Sequence, residues 1–302
     1  MATADELAAR FGIPDVIRFE AVAGGLVRAV VTTPVAEAHV YDQGAHLAHY
    51  QSAGAAPLLF LSARSRFTPG QPIRGGVPLV FPWFAARAGD RTAPTHGFAR
   101  SREWRLEAAE RRGDSGVTLA LRLEPDPETR RLWPHDFVLR YRVGLGTALE
   151  LALEVTNPTD VALTFEAAFH TYLAVSDVRQ VAVHGLEGAS YLDKTDAMRR
   201  QTQGPEPIRF TEETDRVYLH TAATCRVDDP GAGRRLVVEK AGSATTVVWN
   251  PWDARARALA DLGDDEWPRM LCIETANAAA DAVTLAPGAR HTMRARVRAG
   301  PI

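Results

Sequence analysis

Two arginines, two histidines and a glutamate in this 302-residue chain have the types and settings that acid/base chemistry on a small anionic substrate requires. Arg74 opens Ile73-Arg74-Gly75-Gly76-Val77-Pro78-Leu79-Val80-Phe81-Pro82-Trp83-Phe84, and Thr95-His96-Gly97-Phe98-Ala99-Arg100 follows after a short polar loop. Closely spaced glycines and prolines make a poor helix or strand interior, because glycine adds backbone freedom and proline removes a donor. The stretch therefore reads as a shaped loop, the kind of segment in which binding groups concentrate when a scaffold holds it. An arginine beside Gly-Gly can present its fork next to bare backbone N–H groups, which suits an anion. For the Arg-Gly-Gly alone, an ordinary turn with a surface arginine is the commoner explanation.

The proton-transfer candidates lie later in the chain. In Phe165 to Leu173, strand alternation puts Phe165, Ala167, Phe169, Thr171 and Leu173 on one face, the expected core face, and Glu166, Ala168, His170 and Tyr172 on the other. His170 then projects beside a small Ala168 and a Tyr172 that can hold its ring, and an imidazole titrates near neutrality. A hydrogen-bonded structural histidine fits the same strand. In Met270 to Thr275 the same logic groups Met270, Cys272 and Glu274. A carboxylate beside Met and Cys is partly desolvated, which raises its pKa and makes it a better base; a salt-bridged strand-end glutamate is the alternative. Together the two residues could form an acid/base pair across a pocket, on opposite sides of a substrate.

The elements that must position these groups read as β. Fifteen short apolar, β-branched runs with period-two alternation extend from Leu26–Thr33 through Ala162–Val175 and Met270–Thr275 to His291–Val297, separated by turn residues and without a βαβ rhythm. Leu58–Leu61 is one of these runs. Asn157-Pro158-Thr159-Asp160 predicts a hairpin turn between the strands on either side of it. Ala4–Phe11 reads as a short amphipathic helix ended by Gly12 and Pro14, and residues 1–20 as an appendage to a single domain spanning 1–302.

Composition narrows the function. With 35 Lys+Arg against 37 Asp+Glu and a net charge of −2, the chain has no general cationic field for nucleic acid or anionic lipid, so any anion site is local. The opening residues lack the layout of a secretory signal and no stretch approaches a membrane span, so a cytoplasmic protein is expected. Cys225 and Cys272 have no metal-like spacing, and pairing between them stays open. His46 and His49 near Asp42 lack the HExxH pattern, so no metal site is expected. Trp83, Phe84 and Trp104 suit either a binding pocket or the core, and Arg255 to Arg257 reads as a solvated face.

The chain resembles the hexose-6-phosphate mutarotases (glucose-6-phosphate 1-epimerases) of the aldose 1-epimerase superfamily from about Gly24 to Pro287. The likeness is carried in order by Gly44-Ala45-His46, the Ile73–Pro78 and Pro82–Phe84 segment, His96-Gly97-Phe98-Ala99-Arg100 and Phe169-His170-Thr171-Tyr172. It continues through Tyr191-Leu192-Asp193-Lys194, Glu213–Tyr218, Val248-Trp249-Asn250-Pro251-Trp252 and Cys272–Asn277. The resemblance implies an all-β fold, a large antiparallel β-supersandwich with a sugar cleft, no metal and no organic cofactor. It implies His170 as general acid, Glu274 as general base, Arg74 and Arg100 as phosphate ligands, Asp215 as a ligand for sugar hydroxyls, and His96 lining the pocket near the ring. Thr95 stands where the family pattern leads one to expect a glutamine, and it offers one hydroxyl in place of an amide's donor and acceptor.

The function expected is an isomerase that interconverts the anomers of a hexose 6-phosphate, a small-molecule phosphosugar, acting as a monomer with neither nucleic acid nor membrane as partner. The alternatives are an aldose 1-epimerase for free sugars and a non-catalytic carbohydrate-binding protein on the same fold.

Overall fold

A computed structural model describes residues 2–22, 24–113 and 115–302. Two eight-stranded antiparallel sheets form the body. The first runs in the order Arg199–Thr202, Ser190–Asp193, Thr214–Tyr218, Thr245–Asn250, Met270–Asn277, Ala167–Phe169 and Leu79–Val80, with Tyr172–Ala174 also on Met270–Asn277. The second runs Ala182–His184, Cys225–Asp229, Arg234–Ala241, Arg290–Pro301, Leu149–Thr156, Val138–Leu145, Gly116–Leu123 and Arg105–Arg112. Alternation explains why they stack. Leu149–Thr156 buries Leu149, Leu151, Leu153 and Val155, while Met270–Asn277 turns Leu271 and Ile273 into the same core. Aromatic contacts such as Tyr141 with Phe169, ring centroids 5.8 Å apart, join the layers.

The sheet carrying Met270–Asn277 is buried on both faces. Its inner face meets the second sheet, and its outer face holds Tyr172, Met270 and Cys272 at one end and Ala168, Val217 and Val247 at the other. That outer face is where His170 and Glu274 stand. Full burial of an eight-residue strand is unusual for a sheet with one solvated face, and here it marks the floor of a site.

Several expectations change. Ala162–Val175 is not one strand: Leu163–Phe165, Ala167–Phe169 and Tyr172–Ala174 are separate, and the first of them pairs with Val283–Leu285 outside the main sheets. The break falls where Glu166 uses its backbone N–H on the Pro82 carbonyl and its carboxylate on the N–H groups of Phe84 and Ala279. The hairpin at Asn157 to Asp160 does not form either. Asn157 is buried and donates to the carbonyls of Val161, Leu285 and Ala286, so the turn redirects the chain to a different sheet. Leu58–Leu61 forms only single bridges, Leu59 to Leu173 and Leu61 to Gly75. The helix Ala4–Phe11 is present with a Thr3/Glu6 capping box. Ile17–Ala21, however, is a strand of a four-stranded sheet paired residue by residue with Val27–Val31, so it belongs to the body and not to an appendage. Both cysteines are free and buried.

The glycines of the two loop motifs serve close packing. Gly97 has φ +72°, and a Cβ there would lie 1.9 Å from the Phe81 carbonyl oxygen. Gly97→Ala should therefore destabilise the protein by more than the ~1–3 kcal/mol that left-handed strain alone costs, measured as a lower urea midpoint. Gly76 spends its N–H on the Phe60 carbonyl at 2.7 Å, which removes it from the anion-binding nest expected at Arg74-Gly75-Gly76.

Candidate active site

The strand register dictates the geometry at the centre. Ala167–Phe169 and Tyr172–Ala174 flank Met270–Asn277 on one edge, Ala168 opposite Ala276 and Tyr172 opposite Cys272, so His170 emerges between them next to Glu274. His170 Nδ1 lies 3.5 Å from Glu274 Oε1, with 8% and 2% of the side chains exposed. This is beyond ordinary hydrogen-bond length, and His170 Nδ1 and Glu274 Oε2 have no hydrogen-bond partner among the described residues. The two candidate groups are thus neighbours, where the sequence led one to expect them on opposite sides of a substrate. Adjacent placement suits a hemiacetal, whose hydroxyl and ring oxygens share one carbon.

Rings fix the imidazole. Tyr172 stacks on His170 at 4.8 Å and 9°, while Trp249 and His96 meet it edge-on at 5.7 and 5.5 Å. His96 has φ +66°, and its Nδ1 accepts from the Ala85 N–H at 3.2 Å. That contact places the His96 proton on Nε2. Burial, then the charge of Arg100, holds His96 well below the usual imidazole range, so it stays neutral and can donate one hydrogen bond.

Around the pair lies a cleft of about 740 Å³, the size of a small-ligand site. It gathers Arg74, Thr95, His96, Arg100, His170, Asp215 and Glu274, seven residues singled out from the sequence. Their partners differ from expectation in one respect. Arg74 is already engaged: Nε and Nη2 donate to the Asp261 carboxylate at 3.1 and 3.2 Å, and Nη1 to the Tyr172 hydroxyl at 2.8 Å. Burial works against its charge, yet Tyr172 and Asp261 outweigh it and raise its pKa. Arg100 is different. Its Nη2 donates to the Thr95 carbonyl at 2.6 Å, and among the described residues no carboxylate is paired with it. Burial and the nearby Arg74 pull it down to about 10, still a cation at neutral pH. Thr95 contributes this carbonyl where the family pattern leads one to expect an amide side chain.

Sequence reasoning gave no role to four of the residues that complete the cleft. Lys194 pairs with Asp215 at 2.7 Å and lies 5.5 Å from the Phe84 ring centroid; Asp215 is raised chiefly by burial. Glu213 and Arg255 stand at the rim, so one arginine of the expected solvated run faces the site. Asp261 had no signal except its place after the Trp252–Arg257 helix. Trp83 and Trp104 are core residues, whereas Phe84 reaches the cleft. His46 and His49 diverge: the His46 ring lies under Gly76, and His49 packs on His39 at 5.0 Å.

The electrostatics set where a proton rests. Burial first, then Arg100, Arg74 and Lys194, pushes His170 well below the imidazole range. Burial first, then Asp215, pushes Glu274 well above the carboxylate range. Burial therefore disfavours the charged form of both groups, the imidazolium of His170 and the carboxylate of Glu274. Breaking the Arg74 clamp with Asp261→Asn leaves a partly buried guanidinium without its carboxylate. The expected cost is about 1–3 kcal/mol, read as a lower unfolding midpoint in urea.

The fold defines the class of protein first. A crystal structure described as a "putative mutarotase" from Salmonella typhimurium superposes with a TM-score of 0.90 at 30% identity, over 97% of this chain and 96% of that one. The chain belongs to the aldose 1-epimerase family, whose sequence profile matches residues 29–298, and it is an isomerase of the epimerase and mutarotase type. Two relatives, each described as "Putative glucose-6-phosphate 1-epimerase", match at similar strength. The Cenchrus ciliaris protein is 36% identical over 274 residues, covering 87% of this chain and 82% of its own. The Escherichia coli K12 protein is 35% identical over 249 residues, covering 82% of each.

Proposed function

We propose that the protein interconverts the α and β anomers of a hexose 6-phosphate, glucose 6-phosphate foremost, by acid/base opening of the ring. The observation that carries the reading is the uncompensated charge of Arg100 in the same cleft as the His170/Glu274 pair. Glu274 takes the proton of the C1 hydroxyl as the bond from C1 to the ring oxygen breaks, and His170 gives that oxygen its proton. Rotation about C1–C2 exposes the other carbonyl face, and the roles reverse on closure.

Arg100 holds the phosphate by charge-assisted hydrogen bonds, for which a guanidinium is better shaped than an ammonium. Arg74, clamped by Asp261, lends the phosphate its field more than its fork. Asp215, fixed by Lys194, meets sugar hydroxyls, and His96 donates near the ring. A free-sugar epimerase has no use for an unpaired arginine at this place, and a binding protein has none for two unpartnered proton-transfer atoms. The test is to dissolve crystalline α-glucose 6-phosphate and follow its relaxation to the β anomer by NMR with and without enzyme. Acceleration in proportion to enzyme is expected; a rate equal to the spontaneous one overturns the reading.

A further inference from the structure

Ring opening needs an imidazolium at His170 and a carboxylate at Glu274, two charges that burial disfavours, so the working state depends on the groups packed around it. The contacts of the His170 ring are unequal. Its Nδ1 has no hydrogen-bond partner among the described residues and faces Glu274 at 3.5 Å. His96 and Trp249 meet the ring near right angles, at 75° and 89°. Tyr172 lies flat against it, with 4.8 Å between centroids and 9° between planes. The ring of Tyr172 is itself fixed. It is buried, stands opposite Cys272 in the sheet, packs with Phe60, Met270 and Leu262, and has Trp249 across it at 87°. Its hydroxyl accepts from Arg74 Nη1 at 2.8 Å, and Arg74 is matched by Asp261, so the phenol is tied down without a net charge beside it.

We propose that Tyr172 is a positioning residue of the reaction: its ring face stabilises the imidazolium of His170, the form that gives the ring oxygen its proton. The inference rests on the acid role of His170 in the phosphosugar reading and goes beyond it, since stacking alone would only orient the imidazole. The face of an aromatic ring carries negative potential, and a cation within about 6 Å of the centroid is attracted to it, most strongly where water is excluded. The 4.8 Å separation meets the first condition and the burial of both rings the second. Other charges reach His170 from the elements around the cleft. Ionised Glu274, on Met270–Asn277, favours the imidazolium, whereas Arg100, Arg74 and Lys194 oppose it. Asp261 matches Arg74, Asp215 matches Lys194, and in the phosphosugar reading the 6-phosphate meets Arg100. His96 stays neutral.

The test replaces Tyr172 in the whole chain with phenylalanine and with its mono-, di- and trifluorinated forms, and follows α/β exchange of glucose 6-phosphate by NMR. Fluorine on the ring rim drains the negative potential of the face while the ring keeps its shape and packing. The expected result is a stepwise fall in kcat, about tenfold from phenylalanine to its trifluoro form, the size of a desolvated cation–π contact, with KM held within about twofold. Tyr172→Leu, checked for folding by its urea midpoint, should lose at least as much as the trifluoro form. A kcat that is flat across the series overturns the inference and leaves Tyr172 a packing partner, with the phosphosugar reading intact. Loss of all turnover already at Tyr172→Phe overturns it as well, because the hydroxyl and not the face then carries the role. Wild-type enzyme without effect on glucose 6-phosphate removes the phosphosugar reading, and this inference with it.

Discussion

Glu274→Gln should lower kcat on glucose 6-phosphate by about 10²–10⁴-fold, the usual worth of a positioned general base, with little change in KM. The amide has the same shape and can still accept a hydrogen bond from the C1 hydroxyl, but it cannot take its proton. Because Glu274 is 2% exposed and held well above the carboxylate range by burial and by Asp215, the amide replaces a group whose ionised form folding disfavours with one that is always neutral. The melting temperature is therefore expected to stay the same or rise. That combination separates lost chemistry from lost structure, and it follows the common pattern in which an active site is held at some expense of stability. A variant with wild-type kcat would remove Glu274 from the mechanism.

Arg100→Ala is expected to reduce kcat/KM on glucose 6-phosphate by about 10–100-fold, from charge-assisted hydrogen bonds worth about 1.5–3 kcal/mol. Turnover of glucose should not fall, because that sugar carries no phosphate for the arginine to hold. Arg74→Ala should behave differently. Its fork is taken by Asp261 and Tyr172, so the change loosens the ring stacked on His170 and shows as much in stability as in phosphate affinity. Steady-state assays on the two sugars with the two variants distinguish a phosphate ligand from a structural clamp.

The motif stretches told more about the site than the strand pattern told about topology. His170 and Glu274 could be placed on outward strand faces because alternation is local, and the register of Ala167–Phe169 and Tyr172–Ala174 on Met270–Asn277 then brings them together. Their 3.5 Å separation depends on which strands pair, and nothing in either segment states it. The same limit explains the lost hairpin at Asn157. Its turn residues point to a hairpin, but its side-chain amide donates to carbonyls at 285 and 286, more than a hundred residues away, and these set where the chain goes. Arg74 and Arg100 look alike in sequence. What separates them is Asp261, which comes from a loop without a recognisable pattern. Lys194 was visible inside a motif, yet its partner Asp215 lies on the neighbouring strand, Ser190–Asp193 leading to one and Thr214–Tyr218 carrying the other.

The most direct test of phosphate-dependent acid/base anomerisation places glucose and glucose 6-phosphate in one tube and measures α/β exchange of both at equilibrium by magnetisation-transfer NMR. The account predicts that added enzyme accelerates exchange of the phosphosugar while glucose stays close to its spontaneous rate. Equal acceleration of both sugars would contradict the role of Arg100, and acceleration of neither would contradict the enzyme's assignment to these substrates.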